Sequence, residues 1–139
     1  MVPINYFAVV AATIASMALG ALWYGPLFGK TWSALMGFTP ESMEAMKGKG
    51  MGKSYALMAV GSLLMSYVLA HALIFASEYL AMEGVLAGLT SGFWNWLGFI
   101  APVTLGAVLW EGKPWKLWIL NNAYQLLSLL IMGVILPVW

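Results

Sequence analysis

Four stretches of the chain are apolar almost without interruption: Asn5 to Tyr24, Ser54 to Ser77, Gly84 to Trp110, and Trp115 to about Val138. Each reaches or exceeds the ~20 residues with which an α-helix crosses ~30 Å of hydrocarbon at 1.5 Å per residue. The ~10-residue alternating segments of a membrane β-barrel are missing. The pattern therefore predicts an all-α integral membrane protein, a four-transmembrane-helix bundle in which residues 1–139 form a single membrane domain.

The one sizeable connection, residues 25–53, carries its own punctuation. Gly25-Pro26 is expected to end the first helix, because proline lacks an N–H and disfavours helical geometry in the residue before it. Thr39, Pro40 and Glu41 read as N-cap, first helical residue and acidic first turn, which predicts a short helix over about 40–47. Met43 and Met46 give that helix an apolar edge, so it is expected to lie on the membrane surface.

Composition agrees with immersion in lipid: 8% charged residues and a mean hydropathy of +0.88 lie far from soluble domains, where about a quarter of residues are charged. The charges sit between the apolar stretches or at their edges. Lys30, Lys47, Lys49 and Lys53 follow the first stretch and Lys113 and Lys116 lie at the junction of the last two, whereas the second connection holds only Glu78 and Glu83. The positive-inside rule then predicts a multi-pass protein of the cytoplasmic membrane, with loops one and three cytoplasmic and both termini outside. So one-sided a charge distribution argues against dual topology and leaves a parallel homo-oligomer as the expected assembly. The first stretch is read as a retained helix rather than a secretory signal, since it is long and lacks a basic leader.

Several chemistries have no residues to support them. There is no cysteine, arginine or aspartate, and no carboxylate or amine inside a span. Thiol catalysis, thiolate metal sites and coupling through a buried carboxylate are disfavoured, and no metal or cofactor is expected. The segment from Lys47 to Lys53 ends in Gly52-Lys53-Ser54, but residue 47 is not glycine and no strand precedes it, so a phosphate-cradling loop is rejected in favour of a hinge near anionic lipid. No basic patch suits nucleic acid.

What remains inside the spans is hydroxyl, amide and one imidazole. On a helical wheel Gly84, Gly88, Ser91, Asn95, Gly98, Pro102 and Gly106 form one stripe of the third span, and Asn121, Gln125, Ser128 and Met132 a matching stripe of the fourth. Small residues four apart favour close helix packing, and polar ones line a path or lock helices together. Counting outward from the short third loop puts Asn95 within roughly 8 Å axially of both Gln125 and Ser128, which predicts a contact among them. Thr13, Ser16 and Ser66 lie at the same depth, and interhelical packing is the simpler explanation for the whole set. His71, the one ionisable side chain inside a span, is expected to be neutral and hydrogen-bonded to a neighbouring helix. Glu78 lies roughly 10 Å along the same face.

Trp23, Tyr24, Phe28, Trp32, Trp110, Trp115 and Trp118 crowd the lysine-bearing side as an interfacial belt. The blocks WYGPLFGKTW (Trp23 to Trp32), GFTPE (Gly37 to Glu41) and WEGKPWKLW (Trp110 to Trp118), with Asn121 and Tyr124 downstream, resemble the DUF1761 family of small four-span prokaryotic membrane proteins of unknown function. The resemblance runs over essentially the whole chain and implies topology and fold, but no activity. It draws attention to a possible aromatic vestibule of Trp23, Tyr24, Phe28, Lys30, Trp32, Trp110, Glu111 and Trp115, with Glu111 as counter-charge. Two functions follow as expectations. One is a small channel or carrier for a neutral or weakly polar solute along Ser16, His71, Asn95, Asn121, Gln125 and Ser128. The other is a non-transporting scaffold or lipid-binding accessory protein. An enzyme acting on lipid-soluble substrates through His71 ranks well below both.

Overall fold

The computed structural model describes residues 2–139. Asn5 caps α1 (Tyr6–Leu22) by accepting the backbone N–H groups of Phe7 and Ala8. Regular α-helix stops at Leu22, and the chain leaves helical geometry at Gly25, immediately before Pro26, where the first helix was expected to end. A π turn spans Trp23–Leu27 across this bend, and the Phe28 N–H reaches back five residues to the Trp23 carbonyl. A wider turn of this kind is one way for a helix to accommodate a residue that cannot donate at position 26.

Two short helices follow, α2 (Gly29–Met36), absent from the sequence reading, and α3 (Pro40–Gly48), which Thr39 and Ser42 cap reciprocally. The longest helix, α4 (Gly52–Leu80), has 29 residues and measures roughly 43 Å, more than the hydrocarbon thickness. Its first turns, Gly52 to Met58, stand free of the bundle.

The third apolar stretch was expected to be one helix and is three: α5 (Gly84–Phe99), α6 (Ala101–Thr104) and α7 (Gly106–Leu109). The break falls at Ile100, immediately before Ala101-Pro102, where the missing proline N–H and the steric restriction on its predecessor both act. The last span, α8 (Trp115–Val138), is continuous. Together Tyr6–Leu27, Gly52–Leu80, Gly84–Leu109 and Trp115–Val138 are long and apolar enough to cross a membrane, and there is no strand among the described residues. This is an all-α membrane bundle.

Spans run alternately up and down, and α8 touches all three others. Its closest partner is α5, because Gly88 and Gly133 let the two backbones meet: a Cβ on either would overlap the carbonyl of the other. One turn along, a Cβ on Gly92 would lie 2.7 Å from the Leu129 carbonyl oxygen. The packed face of α5 is therefore Ala87, Gly88, Ser91 and Gly92, which shares Gly88 and Ser91 with the expected stripe and adds Ala87 and Gly92 on its flanks. Gly84 and Gly98 face open space. Ala12, Leu69, Leu129 and Met132 form the core where α1, α4 and α8 converge. Large apolar residues such as Phe7, Ile14, Leu57 and Phe99 are exposed, an arrangement compatible with a surrounding bilayer.

Gly133→Ala should lower the unfolding free energy by about 2–3 kcal/mol through overpacking. Gly98→Ala should raise it by about 0.5–1 kcal/mol through helix propensity. Thermal unfolding of both variants in one detergent checks the pair, and equal effects would contradict this assignment of the packed face.

Candidate functional site

At mid-depth the hydroxyls that α1, α4 and α8 bring together are spoken for. Ser16 and Ser128 hydroxyls bond to each other across α1 and α8, both almost wholly buried. Ser66 donates to the Val9 carbonyl oxygen at 3.0 Å, and Thr13 to the same oxygen at 2.8 Å. Met132 fills the space beside them with no exposed surface. The predicted contact of Asn95 with Gln125 and Ser128 is not formed. Ser128 is taken by Ser16, while Asn95 donates to the Ser91 carbonyl oxygen of its own helix at 2.8 Å. The close backbone approach to α8 is made by Gly88 and Gly92, roughly two turns and one turn before Asn95. Asn95 instead borders an apolar groove of about 500 Å³ between α4 and α5, with Leu64, Val68 and Phe99 at its rim.

His71 is half-buried and bonds within its own helix, Nδ1 lying 2.9 Å from the Tyr67 carbonyl oxygen, rather than to a neighbour. A carbonyl only accepts, so Nδ1 carries the proton. The ring stands edge-on to Tyr67 at 4.5 Å.

The lysine-bearing end differs. Here the bundle opens into a cleft of about 360 Å³ lined by Tyr24, Trp32, Thr104, Asn121, Asn122 and Gln125. The π turn swings Tyr24 inward, so that its hydroxyl donates to Asn121 Oδ1 at 2.8 Å and its ring meets Tyr124 edge-on at 5.2 Å. Trp32 on α2 stands edge-on to Tyr24 at 5.8 Å and forms the other wall. Tyr124 reaches this position because residue 20 is glycine: a Cβ there would sit 2.9 Å from the Tyr124 hydroxyl oxygen. Trp23 Nε1 donates to the Leu120 carbonyl oxygen at 3.2 Å, fastening the π turn to α8.

Thr104, in the broken part of the third span, is the hub on the far side. Its hydroxyl donates to the Ile100 carbonyl oxygen at 2.8 Å and accepts from Trp118 Nε1 at 3.1 Å and Asn122 Nδ2 at 2.9 Å. Asn122 Nδ2 also donates to the Trp118 carbonyl oxygen at 3.1 Å. Two acceptors facing one end of the amide fix its orientation, since the opposite flip would set oxygen against oxygen. Asn122 Oδ1 is thereby turned away from the hub and has no partner, although the residue is only 3% exposed. Gln125, one turn further, makes no side-chain hydrogen bond among the described residues and borders the same space.

A second cleft of about 260 Å³ shares Thr104, Asn121 and Asn122 and opens past Glu111 and Lys113. The expected vestibule is thus two clefts divided by the Asn121–Asn122 wall. Trp23, Tyr24, Phe28 and Trp32 gather as one aromatic group, with Trp23 and Phe28 at 4.6 Å. Trp110 does not join them, being 86% exposed, and Trp115 is exposed and pairs with Trp118 at 6.1 Å. Gly112, with φ of 71°, turns the chain between α7 and α8. Lys30 is exposed on α2.

Asn121 and Gln125 were picked out by their helical stripe, but Thr104, Trp118 and Asn122 were not. Asn122 sits 100° around the helix from Asn121, and the signal that could have found it is the pair of adjacent amides, which places a polar group on two faces at once. No group of three His, Cys, Asp or Glu residues able to hold a metal occurs among the described residues.

The sequence profile described as protein of unknown function (DUF1761) matches residues 7–137. The chain belongs to the DUF1761 family. The match runs through all four spans and takes in the residues that line both clefts. Neither a curated protein nor a solved structure matches the chain.

Removing the hub should cost more than removing its methyl. Thr104→Val leaves Trp118 Nε1 and Asn122 Nδ2 each short of an acceptor and should destabilise by about 2 kcal/mol, whereas Thr104→Ser should stay within about 0.5 kcal/mol of the parent. Unfolding followed by tryptophan fluorescence checks this, and a Val variant as stable as the Ser variant would contradict the hub.

Proposed function

We propose that this protein is a membrane-embedded binding protein that holds a small neutral polar group in the Tyr24–Asn122 cleft, without conducting it across the bilayer. One observation carries the reading: Gln125 and the Asn121 amide nitrogen border the Tyr24–Asn122 cleft with hydrogen-bonding capacity unused among the described residues, whereas the hydroxyls of Ser16, Ser66 and Ser128 deeper in the bundle are all bonded. A ligand with neutral polar groups would use that capacity. No carboxylate, imidazole or amine lines the cleft, so the reading is binding rather than proton-moving chemistry. By the positive-inside rule the cleft faces the cytoplasm from the cytoplasmic membrane.

A carrier is the second reading, favoured by the breaks at Gly25 and Ile100, which give α1 and α5 points about which to bend. The midplane decides between the two. With no native cysteine in the chain, Ser16→Cys with Ser128→Cys places a disulfide across the one hydroxyl pair that a carrier would have to part. Proteoliposomes of the parent should pass glycerol and urea no faster than protein-free vesicles in a light-scattering shrinkage assay. Permeability above that background, lost on oxidising the double variant and restored by reductant, would establish the carrier instead.

A further inference from the structure

We infer that the group held in this cleft is a polyhydroxyl one, a sugar ring or glycerol, presented at headgroup depth. The inference rests on the binding reading above and names the ligand class. It follows from matching what the cleft leaves unpaired. Asn122 forms a fixed part of the wall, its amide locked from behind by the Thr104 hydroxyl and the Trp118 carbonyl. Tyr24 spends its proton on Asn121 Oδ1, so the phenol oxygen is left to accept and Asn121 Nδ2 to donate. Gln125 offers one donor group and one acceptor, neither used among the described residues. The cleft thus presents donors and acceptors interleaved over about one turn of α8, all neutral.

Charged groups match this array poorly. A phosphate or carboxylate only accepts, which would leave the Tyr24 oxygen unpaired, and no cation lines the cleft to offset its desolvation. An ammonium only donates, leaving Asn121 Nδ2 and Gln125 Nε2 unpaired. A hydroxyl does both from one atom, and neighbouring hydroxyls can satisfy interleaved partners by rotating their O–H bonds. The Tyr24 and Trp32 rings supply apolar walls against which the C–H face of such a group packs. Its depth follows from Trp23, Trp32 and Trp118, whose amphipathic rings mark the membrane–water boundary at this end. The same hydroxyl chemistry belongs to a glycosyl lipid head and to a free polyol, and the two can be told apart.

The full-length protein in phosphatidylcholine nanodiscs should show a higher unfolding midpoint and altered tryptophan emission when monoglucosyl diacylglycerol is doped in, with little response to equal phosphatidic acid. Glucose added to undoped discs forms the second arm. A response confined to the doped lipid identifies a lipid head as the source, and a response to glucose alone identifies a free polyol. Gln125→Leu, at a side chain that makes no hydrogen bond among the described residues, should weaken the response about tenfold without shifting the unliganded midpoint, while His71→Ala should leave it unchanged. If acetamide or urea produces the response and both hydroxyl probes fail, the hydroxyl class is wrong and the binding reading stands. If phosphatidic acid binds through a Gln125-dependent site, or if no probe gives a response, both fall.

Discussion

Hydrocarbon offers no partner to a polar atom, so every amide and hydroxyl carried into the membrane must find its hydrogen bonds within the chain, or lie where something else can supply them. At mid-depth the hydroxyls of α1, α4 and α8 meet the demand internally. Ser16 and Ser128 pair across α1 and α8, and Ser66 and Thr13 share the Val9 carbonyl. Such bonds add modestly to stability, but they demand that the helices sit at fixed rotation and height. Toward the lysines the demand is only partly met, because Asn122 Oδ1 is buried without a partner and Gln125 borders open space.

The apolar stretches made the four spans legible, and the Thr-Pro-Glu signal at residues 39–41 lies at the start of a helix that the structure extends to Gly48. Rotation about each helix axis was not legible to the same degree. Gly88 and Gly92 lie on adjacent tracks of α5, and the sequence could not say whether contact follows the track that continues to Asn95 and Gly98 or the one that Gly92 opens. Geometry decides for Gly88, against the Gly133 backbone, and Gly92, against the Leu129 carbonyl. Asn95 makes no bond to α8, and its amide falls back on the Ser91 carbonyl.

His71 fell back in the same manner, on Tyr67. A helix always offers a side chain the carbonyl four residues earlier, so a residue that fails to meet a neighbour still finds an acceptor at no cost in rotation. Interhelical polar pairs predicted from depth alone overlook this local competitor. Ser91 Oγ and Trp96 Nε1, also buried without partners, lie on the same crowded part of α5. There the approach of α8 fixes the backbone first and leaves the side chains to make what bonds they can.

Both helix irregularities lie at the lysine-bearing end, and both are tied to α8. The π turn is held by Trp23 to the Leu120 carbonyl and by Tyr24 to Asn121, and the broken third span is held by Thr104 to Trp118 and Asn122. An unbroken α1 and α5 would continue past α8 as straight rods and leave its Asn121–Asn122 face against lipid, where neither amide could be satisfied. Bending each span at a proline brings a phenol to one amide and a threonine to the other. The prolines at 26 and 102 thus act through the amides they serve. What they cannot supply is a third partner for the oxygen of Asn122, since the bonds that orient this amide consume its nitrogen and turn its oxygen away from the only hydroxyl within reach.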